Sequence, residues 1–315
     1  MDKMFSIFLE FLLTLKNITF AFLVSWIQFF IPPSRKCVQG EIVLVTGSAA
    51  GIGQRLAVEF AKMGAITVLW DINKGGLDKT KELIEEVGGK CFTYACDVRN
   101  HGQVKSVAGR VRTEVGDVTI LVNNAGVVTG KKLLELQDEE IEDTFSVNLF
   151  AHIWTTKEFL PSMLENNHGH IVNMGSSCGH IGISHLVDYS ASKFGVTGFT
   201  QTLNYEIYFS GHDGVHTTLV SPSYIKTDMF KGCKMAYPHI LPALELQPTV
   251  SRIIQAILTN QNEVCIPRMV YVMAALKTML PVSAMQEIIK FFRADKFMDT
   301  FQGGKSYGDT LSTEE

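Results

Sequence analysis

From Ile42 onward, short apolar runs alternate with longer amphipathic stretches. The runs are IVLVT (42–46), ITVLW (66–70), CFTYA (91–95), VTILV (118–122), HIVNM (170–174), VHTTLV (215–220) and the shorter VCI (264–266). They have strand length, are rich in β-branched and aromatic residues, and are apolar on successive positions. That is the pattern of strands covered on both faces. Between them, helical spacing runs over 51–63, ending at Gly64, and over 77–87, ending at Gly88-Gly89. Further helices are predicted up to about Glu114, as a pair with a turn near Pro161 over 139–166, and over 188–209 and 249–259. Strand–helix alternation predicts an α/β fold. The expected form is a Rossmann-type, doubly wound, mainly parallel seven-stranded sheet with helices on both faces, plus an N-terminal hydrophobic helix.

Two regions break this rhythm. Residues 4–31 are mostly Phe, Leu, Ile, Val and Trp, interrupted by Glu10, Lys16, Asn17 and Gln28 and stopped by Pro32-Pro33. A membrane span needs about 20 mainly apolar residues, which this stretch has. The uninterrupted part, 18–31, is short for a full crossing, and Glu10 and Lys16 are costly near a bilayer centre. A tilted span, a re-entrant hairpin and an interfacial helix all stay open. No small-residue cleavage site follows, which disfavours a removable signal. Lys3 before the segment and Arg35-Lys36 after it lean toward a catalytic domain facing the cytosol. The second region, 268–292, is apolar with Arg268, Lys277 and Lys290 spaced along it and Pro281 breaking it. It suits either core-packing helices or a helix pair lying on a membrane surface.

Composition narrows the function. The chain has 315 residues, 46% of them hydrophobic and 19% charged, with mean hydropathy +0.14. A membrane-lipid partner fits that balance. Net charge is −4, which leaves no basic footprint for nucleic acid. None of the six cysteines forms a CxxC pair, so neither a zinc motif nor a disulfide framework is expected. Free thiols fit a reducing compartment. His168, His170, His180 and His185 fall close together, but they read as loop and strand-edge residues, and no metal is expected.

The chemistry begins at TGSAAGIG, which closes the first strand and opens the first helix. A dinucleotide pyrophosphate must approach a helix N-terminus, where free N–H groups favour negative charge. Side chains at Gly47 and Gly51 would obstruct it, and Gly53 lets the helix lie close to the sheet. Gly47, Gly51, Ile52 and Gly53 are therefore candidate cofactor residues. Asp71 ends the second strand, where a carboxylate accepts hydrogen bonds from a ribose diol and repels a 2′-phosphate. This favours NAD over NADP, although Lys74 nearby blunts the preference. Asp97 and Val98, after the third strand, are placed to grip an adenine. Asn124, Ala125 and Gly126, after the fourth, suit close backbone approach to the cofactor.

YSASK (189–193) supplies a candidate catalytic pair. Residues four apart on a helix share a face. An ammonium at Lys193 is expected to lower the pKa of the Tyr189 phenol from its usual value near 10, suiting it to acid–base work. Ser176, 13 residues before Tyr189, ends the preceding strand and can hold a substrate oxygen; Ser177 competes for that role. Asn148 is a poor helix former in mid-helix, which suits a water-ordering role.

TGSAAGIG, NNAG, the Asn of VNLF, the Ser before YSASK, and PSYIKT in this order resemble the short-chain dehydrogenase/reductase superfamily over about 40–266. The resemblance implies Tyr189 as acid/base and Lys193 on the nicotinamide ribose. It also implies Ser176 on the substrate, Asn148 on a relay water, and Ile225 and Thr227 on the nicotinamide carboxamide. Pro222-Ser223 departs from the family's Pro-Gly at that turn. VLWDINK, VVTGKK, GHIVN and SPSYIKTDMF, with the hydrophobic N-terminus, are similar to the membrane-bound retinol dehydrogenase branch. That implies NAD-dependent oxidation of retinol or a similar lipophilic alcohol, at the endoplasmic reticulum membrane or lipid droplets. A homodimer through the helices at 139–166 and 188–209 is the implied assembly. Residues 228–248, rich in Met, Phe, Leu and Pro, suit an apolar lid over the site. Alternatives are a steroid or long-chain fatty alcohol as substrate, or a membrane scaffold that binds NAD without catalysis. The expected divisions are a hydrophobic anchor (1–36), an NAD-binding catalytic Rossmann domain (37–267), apolar C-terminal helices (268–302) and a polar tail (303–315).

Overall fold

A computed structural model describes residues 2–31 and 33–303; Pro32 and all but the first residue of the expected polar tail lie outside them. The chain divides after Cys37 into two units. The first holds helix α1 (Asp2–Phe30), whose apolar side chains are exposed almost all round. At 1.5 Å per residue its 29 residues extend about 43 Å, more than a hydrocarbon core of about 30 Å. It is continuous through Glu10 and Lys16, so it is not a hairpin. The hydroxyls of Thr14 and Thr19 donate to the carbonyls of Glu10 (2.8 Å) and Leu15 (2.9 Å), satisfying themselves within the helix.

In the second unit the strands are β1 (Ile42–Thr46), β2 (Ile66–Asp71), β3 (Lys90–Ala95), β4 (Ile120–Asn123), β5 (Gly169–Met174), β6 (Val215–Pro222) and β7 (Glu263–Ile266). Among the described residues they form one seven-stranded sheet in the order β3-β2-β1-β4-β5-β6-β7, parallel at every pairing. The order reverses beside β1, which opens a crevice at the carboxyl ends of β1 and β4. Helices α2 (Gly51–Lys62), α3 (Lys74–Glu86) and α8 (Leu246–Leu258) share one core with the sheet. Helices α4 (His101–Glu114), α6 (Ala151–Glu165) and α7 (Val187–Phe209) share another. The apolar runs are buried because both faces are covered. In α8, Val250, Ile253 and Ile257 are fully buried, each contributing roughly 1.5–3 kcal/mol as an upper estimate.

One expectation is corrected, and of two alternatives for another region one is disfavoured. No turn occurs at Pro161, which lies inside α6. Pro161 cannot donate to the Lys157 carbonyl, but both residues are on the exposed side of the helix, where solvent can reach that carbonyl. The interruption falls earlier, as a π-helical turn, Ser146–Phe150, between α5 (Asp138–Phe145) and α6. The apolar region 268–292 forms α9 (Met269–Met279) and α10 (Val282–Phe291), which bury only Val270 and Met285. They do not pack as core helices. A small third core joins Val128, Cys178, Leu186, Tyr189, Cys233 and Met298, with Tyr224, Phe230 and Phe297 against it.

Candidate active site

The glycine turn sits at the reversal of strand order. Gly47 (φ +65°) and Gly51 (φ +56°) adopt the left-handed backbone that other residues avoid. A Cβ at Gly53 would lie 2.2 Å from the Gly47 carbonyl oxygen, and one at Gly47 would lie 2.8 Å from Ala125 Cα. Over Gly51 the space is open to 4 Å. Ala50, the residue before α2, has no side-chain cap, so the N–H groups of the first turn are available to a ligand. The Asn124 amide donates to the carbonyls of Thr46 (2.9 Å) and Gly47 (3.1 Å). The Thr46 hydroxyl accepts from the backbone N–H of Asn124 (3.0 Å) and Ala125 (3.1 Å), tying β4 to β1.

Asp71 accepts from the N–H of Ala49 (3.0 Å) and Asn73 (2.9 Å). Burial raises its carboxyl pKa, and those backbone bonds oppose the rise. These features suit a dinucleotide: an uncapped helix start, open space over a glycine, and a carboxylate at the end of β2.

Helix α7 sets Tyr189 and Lys193 one turn apart, both buried. Lys193 Nζ lies 5.7 Å from the centroid of the Tyr189 ring and donates to the Met174 carbonyl (2.7 Å). Burial pulls the Lys193 ammonium down to about 8. Burial also pushes the Tyr189 phenol above its ordinary value; nearby Cys178 adds to this, and a hydrogen bond with the Ser176 side chain works against it. The expected lowering of the phenol is therefore overturned in the protein by itself. Phenolate would lose its water, and the ammonium faces the ring rather than touching the oxygen.

Ser176 follows β5 in extended conformation and accepts from the Cys178 N–H (3.1 Å). Asn148, in the π-helical turn, is fully buried. Its Oδ1 accepts from the Val127 N–H (2.8 Å), while Nδ2 donates to the Val127 carbonyl (3.0 Å) and Ser192 Oγ (3.2 Å). A Cβ at Gly126 would sit 3.3 Å from Asn148 Oδ1 and 3.9 Å from Lys193 Nζ. Glycine there lets the three groups meet.

Most sequence candidates line one cavity of about 430 Å³. Gly47, Gly51, Ile52, Asp71, Asn124, Ala125 and Gly126 form one side; Ser176, Ser177, Tyr189, Lys193, Ile225 and Thr227 continue it. Asn148 lies one layer behind. Asp97 and Val98 are not among the lining residues: the Asp97 carboxylate pairs with Arg99 (2.9 Å), and Val98 is buried in the core.

Part of the remaining wall comes from the segment expected as an apolar lid, 228–248; Tyr224 and the C-terminal residues of the wall were not foreseen. Phe230 meets Tyr189 edge-on (centroids 5.9 Å), and Tyr224 meets Phe297 (5.3 Å). Met229, Met235, Met269, Met273 and Phe292 add soft apolar surface. His152, four residues after Asn148, was also missed. It is buried with the Asn173 amide beside it, yet neither ring nitrogen makes a hydrogen bond of normal geometry. Burial, and then the charge of Lys193, holds its pKa well below the usual histidine range, so the ring is neutral.

The family model "short chain dehydrogenase" matches residues 41–237. Human epidermal retinol dehydrogenase 2 is 44% identical, covering 90% of this chain and 92% of its own. Retinol dehydrogenase 10 of Xenopus tropicalis is 42% identical, covering 94% of each chain. Among solved structures, a metagenomic short-chain oxidoreductase in complex with NADP matches with TM-score 0.63 and 26% identity, covering 73% of this chain and 98% of its own. One from Burkholderia phymatum in complex with NAD matches with TM-score 0.70 and 24% identity, covering 78% and 95%, and bears on the fold alone. The chain belongs to the short-chain dehydrogenase family and, with retinol dehydrogenases similar to it over nine-tenths of its length, is an alcohol oxidoreductase.

Proposed function

We propose that the chain interconverts a lipophilic, retinol-like alcohol and its aldehyde by hydride transfer with NAD. One observation carries the reading: a phenol, an ammonium and a serine hydroxyl line the same cavity as the glycine turn, and the rest of that cavity is mostly apolar and aromatic. When bound, the nicotinamide supplies the carbon that takes or gives the hydride. The Ser176 hydroxyl donates to the alcohol oxygen and orients it. For oxidation Tyr189 first gives up its phenol proton to solvent; Lys193, cationic below about pH 8, stabilises the phenolate so formed, and Oη then takes the alcohol proton as the C–H hydride leaves. Asn148 holds the Gly126–Val127 backbone beside Lys193, where the proton passes onward. Asp71 holds a ribose diol, which favours NAD. Ile225 and Thr227 hold the carboxamide; Asp97 and Val98 lie outside the cavity lining and take no direct part.

The exposed α1 supports anchoring at the endoplasmic reticulum membrane or a lipid droplet, with the catalytic unit in the cytosol. Exposed Tyr205, Tyr208 and Phe209 on α7 suit a homodimer. Tyr189→Phe tests the chemistry. Turnover of a lipophilic alcohol should fall by about 10²–10⁴-fold while the protein still binds NAD by fluorescence titration. Retained turnover would refute the assignment; loss of NAD binding as well would point to a damaged fold.

A further inference from the structure

The α9–α10 pair is held on its inner side and bare on its outer side. The Tyr271 hydroxyl donates to the Glu263 carbonyl (3.0 Å) and accepts from the Cys265 N–H (3.1 Å), fastening α9 to β7. Lys277 Nζ donates to the His180 carbonyl (2.8 Å). Away from these contacts, Met279 is 79% and Val282 75% exposed, and Val272 and Phe291 are also exposed. Tyr237, from the segment before α8, stacks on Phe291 with centroids 5.2 Å apart and extends the apolar surface.

The cavity opens beside this surface. Of its lining residues, Met229, Ile240 and Met269 are exposed at the rim, together with the cationic Lys234 and Arg293. Residues 268–296 carry five basic residues (Arg268, Lys277, Lys290, Arg293, Lys296) against two acidic ones (Glu287, Asp295), in a chain whose net charge is −4. A bare apolar face bordered by cations, in a chain that also carries a helix of membrane-spanning length, matches an anionic lipid leaflet. We propose that α9 and α10 rest on the headgroup layer of an anionic membrane, and that the cavity rim opens toward it so that substrate enters from lipid. The second part rests on the lipophilic-alcohol reading; the first does not.

The test uses the full chain in phosphatidylcholine vesicles doped with phosphatidylserine bearing a photoactivatable acyl chain, with adducts mapped by peptide mass spectrometry. Adducts within 269–291, in addition to α1, are expected. Adducts confined to α1 overturn the docking, as does cross-linking of 269–291 to a second protein molecule. Lys290→Gln and Lys296→Gln should each lower the 269–291 adduct yield by about fivefold, the worth of one basic residue at an anionic surface; an unchanged yield counts against it. Val282→Glu combined with Met279→Glu should raise KM for a vesicle-dissolved alcohol roughly tenfold and leave kcat for a short water-soluble alcohol unchanged. An unaltered KM in vesicles overturns entry from lipid. If the wild-type chain oxidises neither alcohol, the activity reading fails while the adduct map still decides the docking.

Discussion

The two walls of the cavity are built differently. On the cofactor side, positions are fixed by hydrogen bonds between backbone and small polar side chains: Thr46, Asn124 and Asp71 make six of 2.9–3.1 Å to the turn and its neighbours. On the substrate side, Tyr224, Phe230, Phe297 and several methionines meet through ring edges and thioethers. The first wall tolerates little displacement, because each hydrogen bond has a narrow geometry. The second can re-pack around ligands of differing shape. A rigid seat for an invariant cofactor faces an adaptable chamber for a greasy substrate.

Substitutions can break this contrast. The largest effect is expected from Gly53→Ala, whose methyl would meet the Gly47 carbonyl at 2.2 Å. Backbone must shift, at a cost of about 1–3 kcal/mol or more, and dinucleotide affinity by calorimetry should collapse. Normal affinity would mean that the cofactor wall is not rigid. Next, Phe230→Ala opens the other wall. Phe230 is half-buried, so a loss of about 1–2 kcal/mol is expected, below the range for a fully buried Phe. KM for a lipophilic alcohol should rise several-fold while NAD affinity is unchanged. If both move together, the walls are not independent.

The effect that is smallest per step measured is a pH dependence at Lys193. Its folded pKa of about 8 lies below the ordinary 10.5, so between those values the unfolded chain binds more protons. The penalty of the buried ammonium is full below pH 8 and is relieved as pH rises toward 10.5, by at most ~1 kcal/mol per pH unit. Buried thiols and Tyr189, with raised pKa values, act oppositely at high pH, so comparison with Lys193→Met isolates the lysine. The difference in Tm should move in favour of the wild type across that window; a constant difference would show the ammonium is not penalised.

Sequence made the cofactor wall legible, because its determinants are local. TGSAAGIG spans one strand–helix junction, and Tyr189 and Lys193 share one helical turn. The substrate wall was only half legible. The segment after Thr227 reads as apolar, but nothing in the sequence brings Phe297 to Tyr224, some 70 residues earlier, or places His152 beside Asn173. The π-helical turn left no compositional trace, since its residues suit an ordinary helix. Pro161 read as a turn because its effect depends on which carbonyl it strands, and exposure at Lys157 is a tertiary fact. The phenol's pKa was misjudged for the same reason: spacing gives the neighbouring charge, but only the fold gives the desolvation.

The clasp between Asn148 and Val127 has a consequence of its own. A carboxamide there meets one peptide group with a donor and an acceptor at once. Its isosteric acid would turn a lone pair toward the Val127 carbonyl, setting oxygen against oxygen. Whether the loop beyond β4 closes over Lys193 thus depends on a single nitrogen atom.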